Sequence, residues 1–249
     1  MVRRLITRSA FAGAVLLAAE AAYAILRRTP RLDDHDPSGM FGEETDPPFR
    51  LAVLGDSTVT GPGVLSADNT WARIIANSVA ALGYRVELRS FAVSGSRTRD
   101  LIITQMLPAL DWDPDLFLVS IGANDLIKGG SASQFEFDLD HLIGGLTQGR
   151  APVVQKGLGD LGTIPRLVPP LRGMITRRSL IFDDIQRRVA ARHGSTVVEH
   201  RTDSRRVWLD DRELWAEDLF HISAKGHQRT ARFIWMTVEP LLGEMNAPV

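Results

Sequence analysis

The sequence predicts an α/β fold built on a parallel sheet with helices on both faces. Three observations predict it. Short apolar runs recur after residue 50 without polar alternation, the pattern of strands buried on both sides. Stretches with apolar residues at helical spacing separate those runs. Glycines and polar residues that carry chemistry follow several of the runs, at the strand ends where such sheets bind ligands.

The elements follow in order. Residues 51–54 (Leu-Ala-Val-Leu) form the first strand, cut off at Gly55. Trp71, Ile74, Ile75, Val79 and Leu82 then mark a helix, with Asp68, Asn69 and Thr70 as candidate caps. A second strand is expected over 85–93 and a helix over 98–107. Pro114 precedes a third strand at 115–121. Phe135, Leu139, Leu142 and Ile143 mark another helix, and 152–155 a fourth strand. Residues 157–178 read as a long irregular segment. A helix over 180–192 and a fifth strand over 196–199 follow. The last helix starts near Ser223, with His227, Ala231, Ile234, Val238 and Leu241 along one face.

Ahead of this domain (residues 50–245) lie two other segments. Arg3, Arg4 and Arg8 precede an apolar stretch over residues 9–26, closed by Arg27 and Arg28. A basic front and a short apolar core make residues 1–28 an export signal or a signal anchor. Glu20 interrupts a stretch near the lower bound of the roughly 17–25 residues a spanning helix needs. Ala22-Tyr23-Ala24 offers small residues for cleavage. The expectation is a protein secreted or membrane-anchored, its catalytic domain outside the cytoplasm. Membrane association, where retained, runs through residues 9–26. Residues 29–49 read as a polar linker, and its Asp33, Asp34, His35 and Asp36 as solvated side chains that nothing fixes in one geometry.

Composition narrows the chemistry. The 249-residue chain has a net charge of −1, which provides no general field for nucleic acid. It has no cysteine, so disulfides, thiolate catalysis and zinc–cysteine sites are excluded.

Ser57, two residues past the end of a buried strand, is the candidate nucleophile. A serine hydroxyl needs a base to take its proton and a third group to orient that base. His221 has Asp218 three residues before it in an expected loop, close enough to accept a hydrogen bond from one imidazole nitrogen. The backbone N–H groups of Ser57 and Gly95 and the side-chain amide of Asn124 are the natural donors for a developing oxyanion. Plainer readings exist for each: Ser57 as a helix cap, Asn124 as a turn residue, His227 as a rival base that is better explained by packing. Asp125 reads as a helix cap and Asp56 as a loop organiser.

Gly55-Asp56-Ser57 with Gly61, then Gly95, Gly122-Ala123-Asn124-Asp125, and Asp218-Leu219-Phe220-His221 resemble, block by block and in order, the SGNH (GDSL-type) hydrolase family. The resemblance covers residue 51 to about 242. It implies a flavodoxin-like three-layer α/β/α sandwich on a five-stranded parallel sheet. It also implies a triad of Ser57, His221 and Asp218, an oxyanion hole of Ser57, Gly95 and Asn124, acyl ester substrates, and no metal or organic cofactor. The substrate is then a small-molecule or lipid/glycan ester. An envelope acyltransferase would use the same triad. A flavodoxin-like binding protein is the rival from another class, though the loop after Gly55 lacks phosphate-loop glycine spacing and has Pro62, which has no N–H to donate.

In the segment over 157–178, Leu161, Ile164, Leu167 and Val168 are expected to line or cover an acyl pocket. Trp208 and Trp215 precede the Asp218–His221 loop and are candidates for another wall, or else for core side chains. The alternative is a packed loop without substrate contact.

Overall fold

The computed structural model describes residues 30, 32–199 and 201–245. The expected export signal, residues 1–28, lies outside the described residues. Among the described residues no helix is long and apolar enough to cross a membrane.

In chain order the elements are β1 (Gly39–Phe41), β2 (Pro48–Gly55), α1 (Ser57–Thr60), α2 (Trp71–Ala80), β3 (Arg85–Ser90), α3 (Thr98–Thr104), α4 (Met106–Asp111), β4 (Leu116–Ser120), α5 (Ala123–Ile127), α6 (Ala132–Leu146), β5 (Val153–Gln155), α7 (Leu171–His193), β6 (Thr196–Val197), α8 (Arg201–Asp210) and α9 (Ala224–Met245). The sheet order is β1-β3-β2-β4-β5-β6. Strands β3-β2-β4-β5-β6 are parallel, and β1 pairs antiparallel with β3.

The parallel part is the doubly wound arrangement expected from the sequence, with a sixth strand added. Its strand order reverses between β2 and β4, the point where such sheets open a crevice at their carboxyl ends. Alternation along the strands sends side chains to two faces. Leu51, Val53, Leu118 and Val154 pack with Trp71, Ile75 and Val79 of α2 and Ile234 and Val238 of α9. Ala52, Leu54, Phe117, Val119 and Val153 face α3, α4, α6 and α7. On that side Phe135 of α6 stacks on Phe182 of α7, ring centroids 4.4 Å apart.

Three expectations need correction. The sheet has six strands rather than five, because residues 39–41 of the supposed linker form β1. The rest of that segment is also held. Arg73 donates to the carbonyls of Pro37 (2.9 Å) and Ser38 (2.7 Å). His35 N–H donates to Thr60 O at 2.9 Å. Asp34 Oδ1 accepts from Thr60 Oγ1 at 2.7 Å and from Ser94 Oγ. Its side chains are polar because their partners are backbone groups and hydroxyls, not core. The segment over 157–178 is also more regular than expected: a 3₁₀ turn spans Leu161–Thr163 and α7 begins at Leu171.

Candidate active site

β2 ends at Gly55, and the buried Asp56 turns the chain into α1. Its Oδ1 caps that helix by accepting from Thr58 N–H at 2.9 Å, and its Oδ2 accepts from Asn124 Nδ2 at 3.1 Å. Burial pushes the Asp56 carboxyl above its ordinary pKa, opposed by the Thr58 hydrogen bonds, the nearby Lys156 charge and the Asn124 bond. Thr58 is tied to Ser120 by a 2.5 Å hydroxyl contact, and its carbonyl accepts from Trp71 Nε1 at 2.6 Å. Ser57, the first residue of α1, is thus presented on a rim fixed on three sides.

The opposite wall comes from the loop before α9. Trp215 and Ile222 form an antiparallel bridge, closed by Ala216 N–H on His221 O at 2.8 Å. Leu219, with φ of +63°, reverses the chain between Asp218 and His221. Asp218 Oδ1 accepts the N–H groups of Phe220 (3.0 Å) and His221 (2.9 Å). Its Oδ2 lies 2.6 Å from His221 Nδ1, so the imidazole's Nε2 is left for another partner. Burial alone would raise the Asp218 carboxyl, but the His221 side chain and those two N–H groups hold it below the ordinary carboxylate range. The Ser57 loop and the His221 loop touch at Gly63. A Cβ there would sit 2.0 Å from Ile222 O, so only glycine permits the approach.

Gly95 follows β3 with φ of +81°. A Cβ at that position would meet only Lys128 Nζ, at 3.7 Å. Backbone conformation, not crowding, is what calls for glycine there. The N–H groups of Ser57 and Gly95 make no hydrogen bond among the described residues. Asn124 spends one amide proton on Asp56 and has a second to give.

One cavity of about 950 Å³, its open mouth included, takes in Ser57, Asn124, His221 and His227. Its apolar walls include Leu161, Ile164, Trp208 and Trp215. Leu167 and Val168, expected in that lining, are not part of it. Leu167 turns back to pack beside Ile164, Leu214 and Trp215, and Val168 is solvent-exposed. His227 lies under the pocket, where its Nδ1 accepts Trp71 N–H at 3.1 Å. Burial, with the charges of Lys156, His221 and His35, pushes it down to about 3, so it is neutral at ordinary pH. Asp125 accepts from Thr98 N–H and Oγ1 and so caps α3, not its own helix. Among the described residues no group of three or more His, Asp or Glu is placed to hold a metal ion.

Two residues at the site carried no signal read from the sequence. Gln105, fully buried, closes both backbone groups of Gly55, donating to its O at 3.0 Å and accepting from its N–H at 2.9 Å. Lys156 follows β5 directly and lines the cavity. A lone glutamine among Ile102, Ile103 and Met106, and a lysine at the end of an apolar strand in a chain whose other basic residues are nearly all arginine, are the signals that would have found them.

The GDSL-like Lipase/Acylhydrolase family matches residues 53–229. A GDSL-like esterase of Mycobacterium tuberculosis is 25% identical over 203 residues, covering 80% of this chain and 65% of that protein. The chain thus spans about two thirds of the length of that curated relative. The structure of TesA superposes with a TM-score of 0.63 at 22% identity, over 77% of this chain and 99% of that one. A catalytic mutant of Axe2, an acetylxylan esterase from Geobacillus stearothermophilus, gives a TM-score of 0.61 at 18% identity, over 78% of this chain and 95% of its own. At these identities the structural likeness speaks to the fold.

Proposed function

Since the chain belongs to the GDSL-like lipase/acylhydrolase family, we propose that it hydrolyses acyl esters through an acyl-Ser57 intermediate, with His221 as proton relay and Asp218 as its orienting partner. The observation that carries this reading is the 2.6 Å contact between Asp218 Oδ2 and His221 Nδ1, in a loop that shares one cavity with Ser57 and Asn124. Ser57 Oγ attacks the ester carbonyl carbon as its proton passes to His221 Nε2. Negative charge then gathers on the former carbonyl oxygen, where the N–H groups of Ser57 and Gly95 and the free amide proton of Asn124 receive it. Collapse breaks the bond to the alcohol oxygen, which leaves with the proton from His221. Water, deprotonated by the same imidazole, attacks the acyl-enzyme, and the acid departs as Ser57 recovers its proton. Asp218 stays ionised throughout and stabilises the imidazolium.

The substrate in this reading is a small-molecule or lipid/glycan ester. The basic and apolar order of residues 1–28 supports a catalytic domain delivered outside the cytoplasm, released or held at the membrane through residues 9–26. Cell fractionation with a C-terminal epitope checks that placement, and recovery in the cytosol alone contradicts it.

Hydrolysis of p-nitrophenyl esters from acetate to decanoate tests the reaction, beside a Ser57→Ala control. The expected result is turnover that vanishes in the control, with the chain-length optimum reporting the acyl pocket. A folded protein inert toward every ester contradicts the reading.

A further inference from the structure

Gly55 pairs with Ser120, and Val119 with Gln155, so Gly55, Ser120 and Lys156 form one row across β2, β4 and the end of β5. Two residues earlier in each strand, Val53, Leu118 and Val154 face α2 and α9. Period-two alternation puts Lys156 on that same side, toward the His221 loop and His227. Its backbone N–H continues the ladder on Val119 O at 2.8 Å, which fixes its root, and its side chain lines the cavity with Ser57 and Asn124.

The ammonium there is unpaired. Among the described residues no carboxylate lies within 4 Å of it and it donates no hydrogen bond. The acid whose charge it feels is Asp56, and both Asp56 oxygens are already used by Thr58 and Asn124. Asp160, also in the cavity wall, is engaged by Arg205 Nε at 3.2 Å and by Thr176. His221 and His227 offer no negative charge. Lys156 is half-buried, its three donors facing the cavity without a protein acceptor, and a ligand bringing an anionic oxygen gives them a charge-assisted partner. A plain hydrocarbon chain in the same place leaves the charge unanswered.

We propose that Lys156 forms an anion subsite, and that the preferred ester carries a carboxylate or phosphate a few bonds from its carbonyl. The inference rests on the ester-hydrolase reading and adds the substrate class. Lys156 binds rather than reacts in this account: it holds the charged end while Ser57 meets the carbonyl.

Two matched pairs test it on the full chain by pH-stat: ethyl hexanoate against monoethyl adipate, with the charge on the acyl side, and monoacetyl glycerol against its 3-phosphate, with the charge on the alcohol side. The proposal expects the charged member of one pair to have the higher kcat/KM, by about 10- to 100-fold. That ratio collapses in Lys156→Met and is partly kept in Lys156→Arg, with thermal melts verifying that both fold. In the wild type the advantage shrinks as salt is added, a readout that needs no variant. Neutral esters favoured in both pairs, or a Lys156→Met loss shared equally by charged and neutral members, overturns the subsite while leaving the hydrolase reading standing. Inertness toward all four esters and the p-nitrophenyl series overturns both.

Discussion

Ser57 stands where it does because Asp56 serves two elements at once, capping α1 and holding the Asn124 amide. Truncating that amide should therefore be felt in the chemistry. For Asn124→Ala we expect kcat on a p-nitrophenyl ester to fall by about 10²–10³-fold with a smaller change in KM. A loss confined to KM would give Asn124 a role in binding only. Ser57, Asp218 and His221 were legible in the sequence because their signal is local: a strand that stops at Gly55, and an acid three residues from a histidine. Gln105 and Lys156 were not. Gln105 matters because it meets Gly55 across 50 residues, and Lys156 because strand register aims it at the cavity. Neither relation is local in the chain.

Among the elements, helices with a purely apolar buried face declare themselves, as α2 does through Trp71, Ile75 and Val79. The start of α7 did not, because its first turns bury Thr176 and Ser179, and Ser179 Oγ accepts Leu161 N–H at 3.1 Å. Residues 32–41 hide for the same reason, being bound through polar contacts. Asp34 ties α1 to the loop before Gly95, and β1 extends the sheet beyond β3. A chain beginning at residue 45 loses all of this. It should melt at least about 5 °C below one beginning at residue 30, since each hydrogen bond contributes about 1 kcal/mol and each kcal/mol moves Tm by about 2–4 °C at this size. Equal melting temperatures in differential scanning calorimetry would mean that the segment lies on the domain without stabilising it.

Across the whole molecule, α2, α9 and the Ser57 loop converge on the neutral His227, and this couples the fold to pH. The folded protein holds His227 near 3, against 6.5 for the free side chain. Between those values the unfolded chain binds a proton that the folded one refuses, so stability falls as pH drops from 6.5 toward 3, by at most about 1.4 kcal/mol per pH unit. Asp218 acts in the same direction at lower pH. Its folded value is depressed, so its contribution is present above the unfolded 3.8 and is lost as pH falls through the folded value. His227→Asn should flatten the fall in Tm between pH 6.5 and 4. An unchanged slope would place the acid sensitivity elsewhere. In the proposed reaction one serine, Ser57 at the start of α1, becomes covalently acylated. The most direct test of that step is the intact mass of the protein after exposure to a fluorophosphonate, followed by peptide mapping of the adduct. The account predicts one adduct per chain, on Ser57, and none in Ser57→Ala. A folded protein that stays unlabelled, or that carries the label on another residue, would contradict it.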